Sequence, residues 1–317
     1  MTFVLSIFCA VSYNPSSGIP SYIPGMAFSR LCGVFLGCLG STLSAITIHN
    51  TSSPGYLTGN SAYTGVANIS GTLIAGGGFS CTGALVAPKV VITAGHCTAP
   101  ANQWNVTFET ASGIATIGVT DAALHPLYAN RTSNPNIQHF DVALLRLAIP
   151  APLDAAIYTL ADGTLPLAFG DTTGTVVEQV GYGFGGNPSG ALTNGVRRRA
   201  ANRLLGILGG EADQPLFTAH DFSSSAEPPN FGIIAAGDSG GPMFFSNQII
   251  GIAAASSIPA VSSGTYQSQV YYGLHTNVYE PLTYQWLTSA IISIPEPGSY
   301  LLLASGLTGL ALLRRRA

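Results

Sequence analysis

Short apolar runs broken by Gly, Pro, Ser and Asn recur along most of the chain, a pattern of many brief strands rather than of helices. Ala84-Leu85-Val86 and Val90-Val91-Ile92 flank Ala87-Pro88-Lys89 and read as a hairpin. Further strands are predicted over Asn105–Glu109, Ala115–Val119, Val142–Leu147, Val176–Val180, Arg203–Leu208, Met243–Phe245, Ile249–Ala255 and Val270–His275. Gly55 to Gly78, rich in Gly, Ser and Thr, reads as an irregular lead-in and first strand. One helix is expected: Pro281 suits a first turn, and Trp286, Leu287, Ala290 and Ile291 share an apolar face over Leu282–Ile292. The Pro/Gly/Asp-rich stretch 148–170 is the natural boundary between two halves, and no internal repeat relates them.

Both ends of the 317-residue chain read as processing signals rather than fold. Met1 to Gly25 holds no lysine or arginine. From Met26 the pattern is that of a signal peptide: Arg30, an apolar core Leu31 to Leu39, and the small-residue site Leu43-Ser44-Ala45. Residues 1–45 are therefore expected to be a leader, with Met26 as the true start or an unusually long leader as the alternative. At the other end Pro295-Glu296-Pro297 precedes an apolar run from Tyr300 to Leu313 and then Arg314-Arg315-Arg316. This resembles the PEP-CTERM sorting signal of bacterial exported proteins, with residues 295–317 as signal and 46–294 as the mature domain. The run is shorter than the roughly 20 residues that span a bilayer comfortably. A transient anchor, its arginines cytoplasmic, fits better than an ordinary tail anchor or surface helix.

Between Thr47 and Pro297 seven basic residues face fourteen acidic ones, a formal charge of −7. That balance excludes a nucleic-acid partner as a working hypothesis. His49, His125, His139, His220 and His275 show no metal-ligand spacing, so they read as structural, and no metal or cofactor is expected. Arg197-Arg198-Arg199 reads as a solvated loop or strand end.

The chemistry concentrates in Gly237-Asp238-Ser239-Gly240-Gly241-Pro242, a serine on a tight glycine-flanked turn. A serine is a weak nucleophile until a base takes its proton. Thr93-Ala94-Gly95-His96-Cys97 offers the base, and Asp141, at the head of the apolar run Val142 to Leu147, offers the acid that orients it. The turn also fits the nucleophile elbow of α/β-hydrolases, in which acid and histidine follow the serine. After Ser239 there is no aspartate, and His275 precedes both remaining glutamates, Glu280 and Glu296. The elbow reading fails.

In the order His96, Asp141, Ser239 the chain resembles the trypsin/chymotrypsin-like serine peptidases. The likeness runs over about residues 60 to 292. It includes Ser80 to Pro88 before the histidine, His125-Pro126-Leu127-Tyr128, Gly181-Tyr182-Gly183, Gly251-Ile252-Ala253 and the closing Tyr284-Gln285-Trp286-Leu287. It implies an all-β fold: two Greek-key six-stranded β-barrels, chymotrypsin-like, with a C-terminal helix and the site between them. It further implies His96, Asp141 and Ser239 as catalytic triad, with Asp141 ionised throughout, and the N–H groups of Gly237 and Ser239 as oxyanion hole. Cys81 and Cys97, the two cysteines outside the leader, match a family disulfide; two buried free thiols are the alternative.

The likeness also maps substrate contacts. Ile233 falls at the base of the specificity pocket, Ala254, Ala255 and Ser256 on the strand that pairs with substrate, and Gly273 on a pocket wall. An apolar base argues for an uncharged apolar or small side chain at the cleaved position. Ala235 replaces a common cysteine, which leaves the pocket to packing. The family's activation signal is missing: there is no Ile-Val-Gly-Gly, and no Lys or Arg from Leu31 to Pro88. In the family the counterpart of Asp238 pairs with a newly made amine. Here Asp238 must rely on local hydrogen bonds, on another trigger, or on an amine at Ile46 freed by leader cleavage. The expected function is an exported serine endopeptidase acting on proteins or peptides at the bacterial surface or beyond. Its processing partners would be signal peptidase and an exosortase-type sorting enzyme, with transient membrane contact through the tail. The alternative is a catalytically silent surface module of the same fold that binds extracellular protein or polymer.

Overall fold

The computed structural model describes residues 46–48, 56–128, 139–183, 186–187, 190–191, 195–208, 213–221, 228–256 and 270–292. The leader and the C-terminal tail lie outside them. The strands run in chain order as β1 (Thr47–Ile48), β2 (Val66–Leu73), β3 (Gly78–Ala87), β4 (Val90–Thr93), β5 (Ala101–Thr110), β6 (Gly113–Leu124) and β7 (Ala143–Leu147). There follow β8 (Thr159–Leu160), β9 (Val176–Gly181), β10 (Gly186–Asn187), β11 (Gly190–Ala191), β12 (Arg198–Ile207) and β13 (Leu216–Asp221). The last are β14 (Gly232–Ile233), β15 (Pro242–Phe245), β16 (Gln248–Ser256) and β17 (Val270–Asn277), before helix α1 (Pro281–Ile292).

Six of these close a barrel in the order β2-β3-β4-β7-β6-β5, every pairing antiparallel. Alternation along β5 turns Val106, Phe108 and Thr110 inward, as a half-buried strand requires. β4 is buried at all four positions, which is why Val90-Val91-Ile92 reads as an unbroken apolar run. A second six-membered ring, β9-β12-β13-β17-β16-β15, closes through β15 pairing with both β16 and β9, while β8 adds in parallel to β16. Its core is smaller: Val177, Leu204, Leu216, Met243 and Ile250, with Ala161. Both barrels are thus antiparallel and six-stranded, as expected.

Helix α1 ends the described domain. Glu280 Oε2 accepts the Thr283 N–H at 2.8 Å and caps the first turn behind Pro281. Leu287 is fully buried, and Trp286, Ala290 and Ile291 pack against the larger core, which joins the first barrel to residues of β9, β15 and β16.

Two departures from the sequence reading concern the second barrel. β12 begins at Arg198, five residues before the predicted start, and β13 was not predicted. Polar residues hid both. The triplet Arg197-Arg198-Arg199 does stand at a strand end, but its first two members are not solvated. Arg197 is 1% exposed and Arg198 3%, and Arg199 pairs with Glu178 on β9. Arg197 donates Nε to Thr58 Oγ1, Nη2 to Gly59 O, and Nη1 to Glu109 O and the Tyr182 hydroxyl, with a longer contact to Val66 O. It is a buried cross-brace between barrels, tolerated because its donors are satisfied.

Candidate active site

The first barrel supplies a histidine and an aspartate. His96 sits in a single 3₁₀ turn, Gly95–Cys97, directly after β4. The Cys81–Cys97 disulfide, expected from the sequence, fastens that turn to β3. Asp141 precedes β7, the strand that pairs with β4, so the β4–β7 register brings the two together (Thr93 opposite Ala143). Asp141 is 1% exposed. Its Oδ2 lies 2.6 Å from His96 Nδ1, and its Oδ1 accepts the His96 backbone N–H at 2.7 Å. Two bonds from one carboxyl group fix both the ring and the chain that carries it. Thr276 on β17 donates its hydroxyl to the Asp141 carbonyl at 3.0 Å, so the second barrel holds this residue as well. The His96 side chain keeps 27% exposure. Burial pulls its pKa down, but the Asp141 charge and hydrogen bond outweigh that and hold it above 6.5.

The second barrel supplies the serine turn. Gly237 and Gly240 have φ of +86° and +82°, a left-handed conformation that favours glycine. At Gly240 a side chain would also strike Ala94 N at 2.7 Å, beside the histidine turn. The approach is close because Thr82 on β3 donates its N–H to Ser239 O (2.8 Å) and its hydroxyl to Gly237 O (3.0 Å). Ser239 is half-buried. Among the described residues its Oγ makes no hydrogen bond to His96, and the N–H groups of Gly237 and Ser239 enter none. Such contacts are often long before substrate arrives.

Asp238, beside the serine, is 1% exposed. Its Oδ1 accepts the Gly183 N–H at 3.0 Å, and its Oδ2 the Ala235 N–H at 2.9 Å and the Ile46 N–H at 2.8 Å. A side chain at Gly181 or Gly183 would collide with the Asp238 segment, which accounts for Gly181-Tyr182-Gly183. Ile46 is fully buried with Tyr56 and Ala200, and the Tyr56 hydroxyl donates to Ile46 O at 2.6 Å. β1 extends the anchor: Thr47 pairs with Ile233 and with Gly186. Burial lifts the Asp238 carboxyl to about 6, against the pull of its three backbone donors and the nearby Arg198 guanidinium. Local hydrogen bonds and Ile46 therefore meet at one carboxyl group.

The predicted pocket residues gather around β14, β16 and β17. Ile233 is fully buried with Ala235 and Tyr271, and a Cβ on Gly273 would lie 3.1 Å from Ile233 Cδ1. Ser256 pairs with Gly273 and Ala255 with Leu274, while Ala254 falls at the bulge between Ala253 and Ala255. All three are half-buried. Cys81, His96 and Cys97 place ligand atoms within 4.8 Å of one another, but the two sulfurs are bonded together and offer no thiolate, so the cluster suits no metal. His275 is fully buried, and burial lowers its pKa to about 3. His139 Nδ1 lies 2.7 Å from Asp213 Oδ1, a pair that no spacing in the sequence announces.

The trypsin family model matches residues 56–280, and the PEP-CTERM protein-sorting motif matches residues 293–316. A protein named trypsin from Saccharopolyspora erythraea is 30% identical over 181 residues, 54% of this chain and 73% of that relative. The fold is similar to that of HL collagenase, with a TM-score of 0.55 and 19% identity over 77% of this chain and 99% of that one. It is similar also to neuropsin, a serine protease expressed in the limbic system of mouse brain. There the TM-score is 0.54, with 19% identity over 78% of this chain and 100% of that one.

Proposed function

The chain belongs to the trypsin family and is a serine-type endopeptidase, and we propose that it is an exported one working through His96, Asp141 and Ser239. The observation that carries the reading is the two-point hold of Asp141 on His96, set against a rigid serine turn from the other barrel. Ser239 Oγ attacks the scissile carbonyl while His96 Nε2 takes its proton. Asp141 fixes the tautomer and stabilises the imidazolium. Charge developing on the carbonyl oxygen meets the N–H groups of Gly237 and Ser239, which the turn leaves free of internal partners. His96 then protonates the leaving amine, and water, activated by the same histidine, releases the acyl group from Ser239.

Ile233, Gly273 and the small Ala255 favour an uncharged apolar or small side chain at the cleaved position. Export and surface sorting follow from the PEP-CTERM motif. Protein substrates, signal peptidase and an exosortase-type enzyme are the partners, with membrane contact transient and through the tail. Among the described residues no helix is long and apolar enough to cross a membrane. Leader cleavage between Ala45 and Ile46 would convert the Ile46 N–H at Asp238 into an ammonium, and in this reading that cut arms the oxyanion hole.

Labelling of the purified leader-free protein, beginning at Ile46, with a fluorophosphonate probe tests the proposal. The wild type is labelled and Ser239→Ala is not. A folded wild type that the probe leaves untouched refutes the reading and favours the silent surface module. Turnover of peptides with Arg at the cleaved position, and none with Leu, Phe or Ala, overturns the specificity.

A further inference from the structure

A second carboxyl–imidazole pair lies directly behind Asp141. His139 and Phe140 precede it in the chain, and Asp213 reaches them from the β12–β13 connection of the other barrel. Asp213 Oδ1 lies 2.7 Å from His139 Nδ1, and Asp213 Oδ2 accepts the Phe140 N–H at 2.7 Å. The two side chains are 0% and 1% exposed. The pattern repeats that of Asp141 on His96: one carboxyl group takes a ring nitrogen and a backbone N–H from the same short segment.

Phe140 shows what this hold achieves. Its φ is +50°, a left-handed conformation that costs a non-glycine residue free energy and persists only where its surroundings over-determine it. Three contacts do so. Asp213 takes its N–H, Val142 donates its N–H to Phe140 O at 2.7 Å, and the ring stacks on His125 with centroids 4.8 Å apart and planes within 6°. His125 is itself braced edge-on by Trp286 of α1. The left-handed residue reverses the chain just before Asp141 and sets the direction in which its carboxyl group leaves the backbone.

We propose that Asp213 and His139 are positioning residues for catalysis: they hold the left-handed turn at Phe140 and so keep the Asp141 carboxyl group square on His96. The inference rests on the triad reading above. Neither residue touches substrate; both act through Asp141. Small errors in such geometry are costly, since a displacement of about 1 Å can lower a rate about 100-fold.

The test measures the second-order rate of fluorophosphonate labelling across pH for the wild type, Asp213→Asn, His139→Asn and His139→Phe, each checked for a cooperative melt. An asparagine at 213 cannot accept both donors, because its amide nitrogen replaces one acceptor. Labelling by Asp213→Asn falls about 10- to 100-fold, and the pH midpoint of its acid limb moves down as Asp141 loosens from His96. An asparagine at 139 can place its Nδ2 where the imidazole Nδ1 stands, so His139→Asn keeps rate and midpoint near those of the wild type. His139→Phe loses both. If Asp213→Asn does not fold, the two His139 variants decide by the same readouts. Wild-type rate and midpoint in folded Asp213→Asn or His139→Phe overturn the inference, as does a lower rate with an unmoved midpoint. Absence of labelling in the wild type fails the triad reading instead, so the two failures are distinct.

Discussion

The contact between Ile46 and Asp238 makes a measurable prediction about leader removal. In a chain that continues N-terminal to Ile46, Asp238 meets a neutral peptide N–H at 2.8 Å and has its carboxyl raised from 3.8 to about 6. A carboxyl raised in the folded state contributes its full stability below its unfolded value and loses it as pH rises through the folded one. At 1.36 kcal/mol per pH unit the full shift amounts to about 3 kcal/mol, of which about 2.4 kcal/mol is lost between pH 4 and pH 7. For a domain of this size the loss within that window corresponds to roughly 5–10 °C in Tm. Freeing the Ile46 amine places an ammonium where the N–H stood, which favours the ionised carboxyl and removes most of the loss. The assay is thermal unfolding from pH 4 to 7.5 of two forms, one beginning at Ile46 and one retaining Ser44-Ala45. The retained form weakens across that range and the cleaved form holds nearly level; labelling by the probe is faster in the cleaved form at pH 7. Equal pH dependence of the two forms would refute the reasoning.

Three further outcomes follow from individual contacts. In Asp141→Asn the labelling rate falls about 10³- to 10⁴-fold; in the wild type labelling declines as pH drops through a midpoint above 6.5, where His96 takes up its proton. Reducing the Cys81–Cys97 bond, whose partners are 16 residues apart, costs about 3 kcal/mol in the chain-entropy picture. Melts with and without reductant, beside Cys81→Ser/Cys97→Ser, measure it. Arg197→Met strands the carbonyl groups of Gly59 and Glu109 and the Tyr182 hydroxyl, and lowers stability by about 3–5 kcal/mol in chemical denaturation. Arg197→Lys recovers little of that, since an ammonium cannot reproduce the guanidinium fork.

What was readable in the chain follows from how local its signals are. Runs such as Val90-Val91-Ile92 and Ile249-Ile250 announce strands because burial acts on each residue where it stands. The order of His96, Asp141 and Ser239 was readable because those residues sit in short segments with their own turn chemistry. The start of β12 is masked because three successive arginines look solvated; nothing local says that Thr58, Gly59, Glu109 and Tyr182 converge on Arg197. Ile46 stands among the options that the sequence leaves open for Asp238, but its arrival there spans 192 residues and depends on β1 pairing with Ile233, a two-residue strand with no periodicity to read, so nothing local selects it. Asp213 is hidden for the same reason. An acid before Gln214-Pro215 has the form of an ordinary turn residue, and only the closure of the second barrel aims it at Phe140.

These long-range contacts share a direction. The serine turn of the second barrel is held by Thr82 of the first, and Asp141 of the first barrel is held by Thr276 and, through Phe140, by Asp213 of the second. Each half of the site is thus braced by the barrel that does not carry it. A shift of one barrel against the other must stretch several of these bonds together, so the distance from Ser239 to His96 is controlled by the interface rather than by either loop alone. Substitutions at Thr82, Thr276 and Asp213 should therefore couple with one another in labelling rate. Buried residues that make none of these bonds, such as Phe108 or Met243, should affect stability without that coupling. A double-mutant cycle on Thr82→Val and Thr276→Val measures the difference, and strict additivity of their effects on labelling would show that the loops, not the interface, set the geometry.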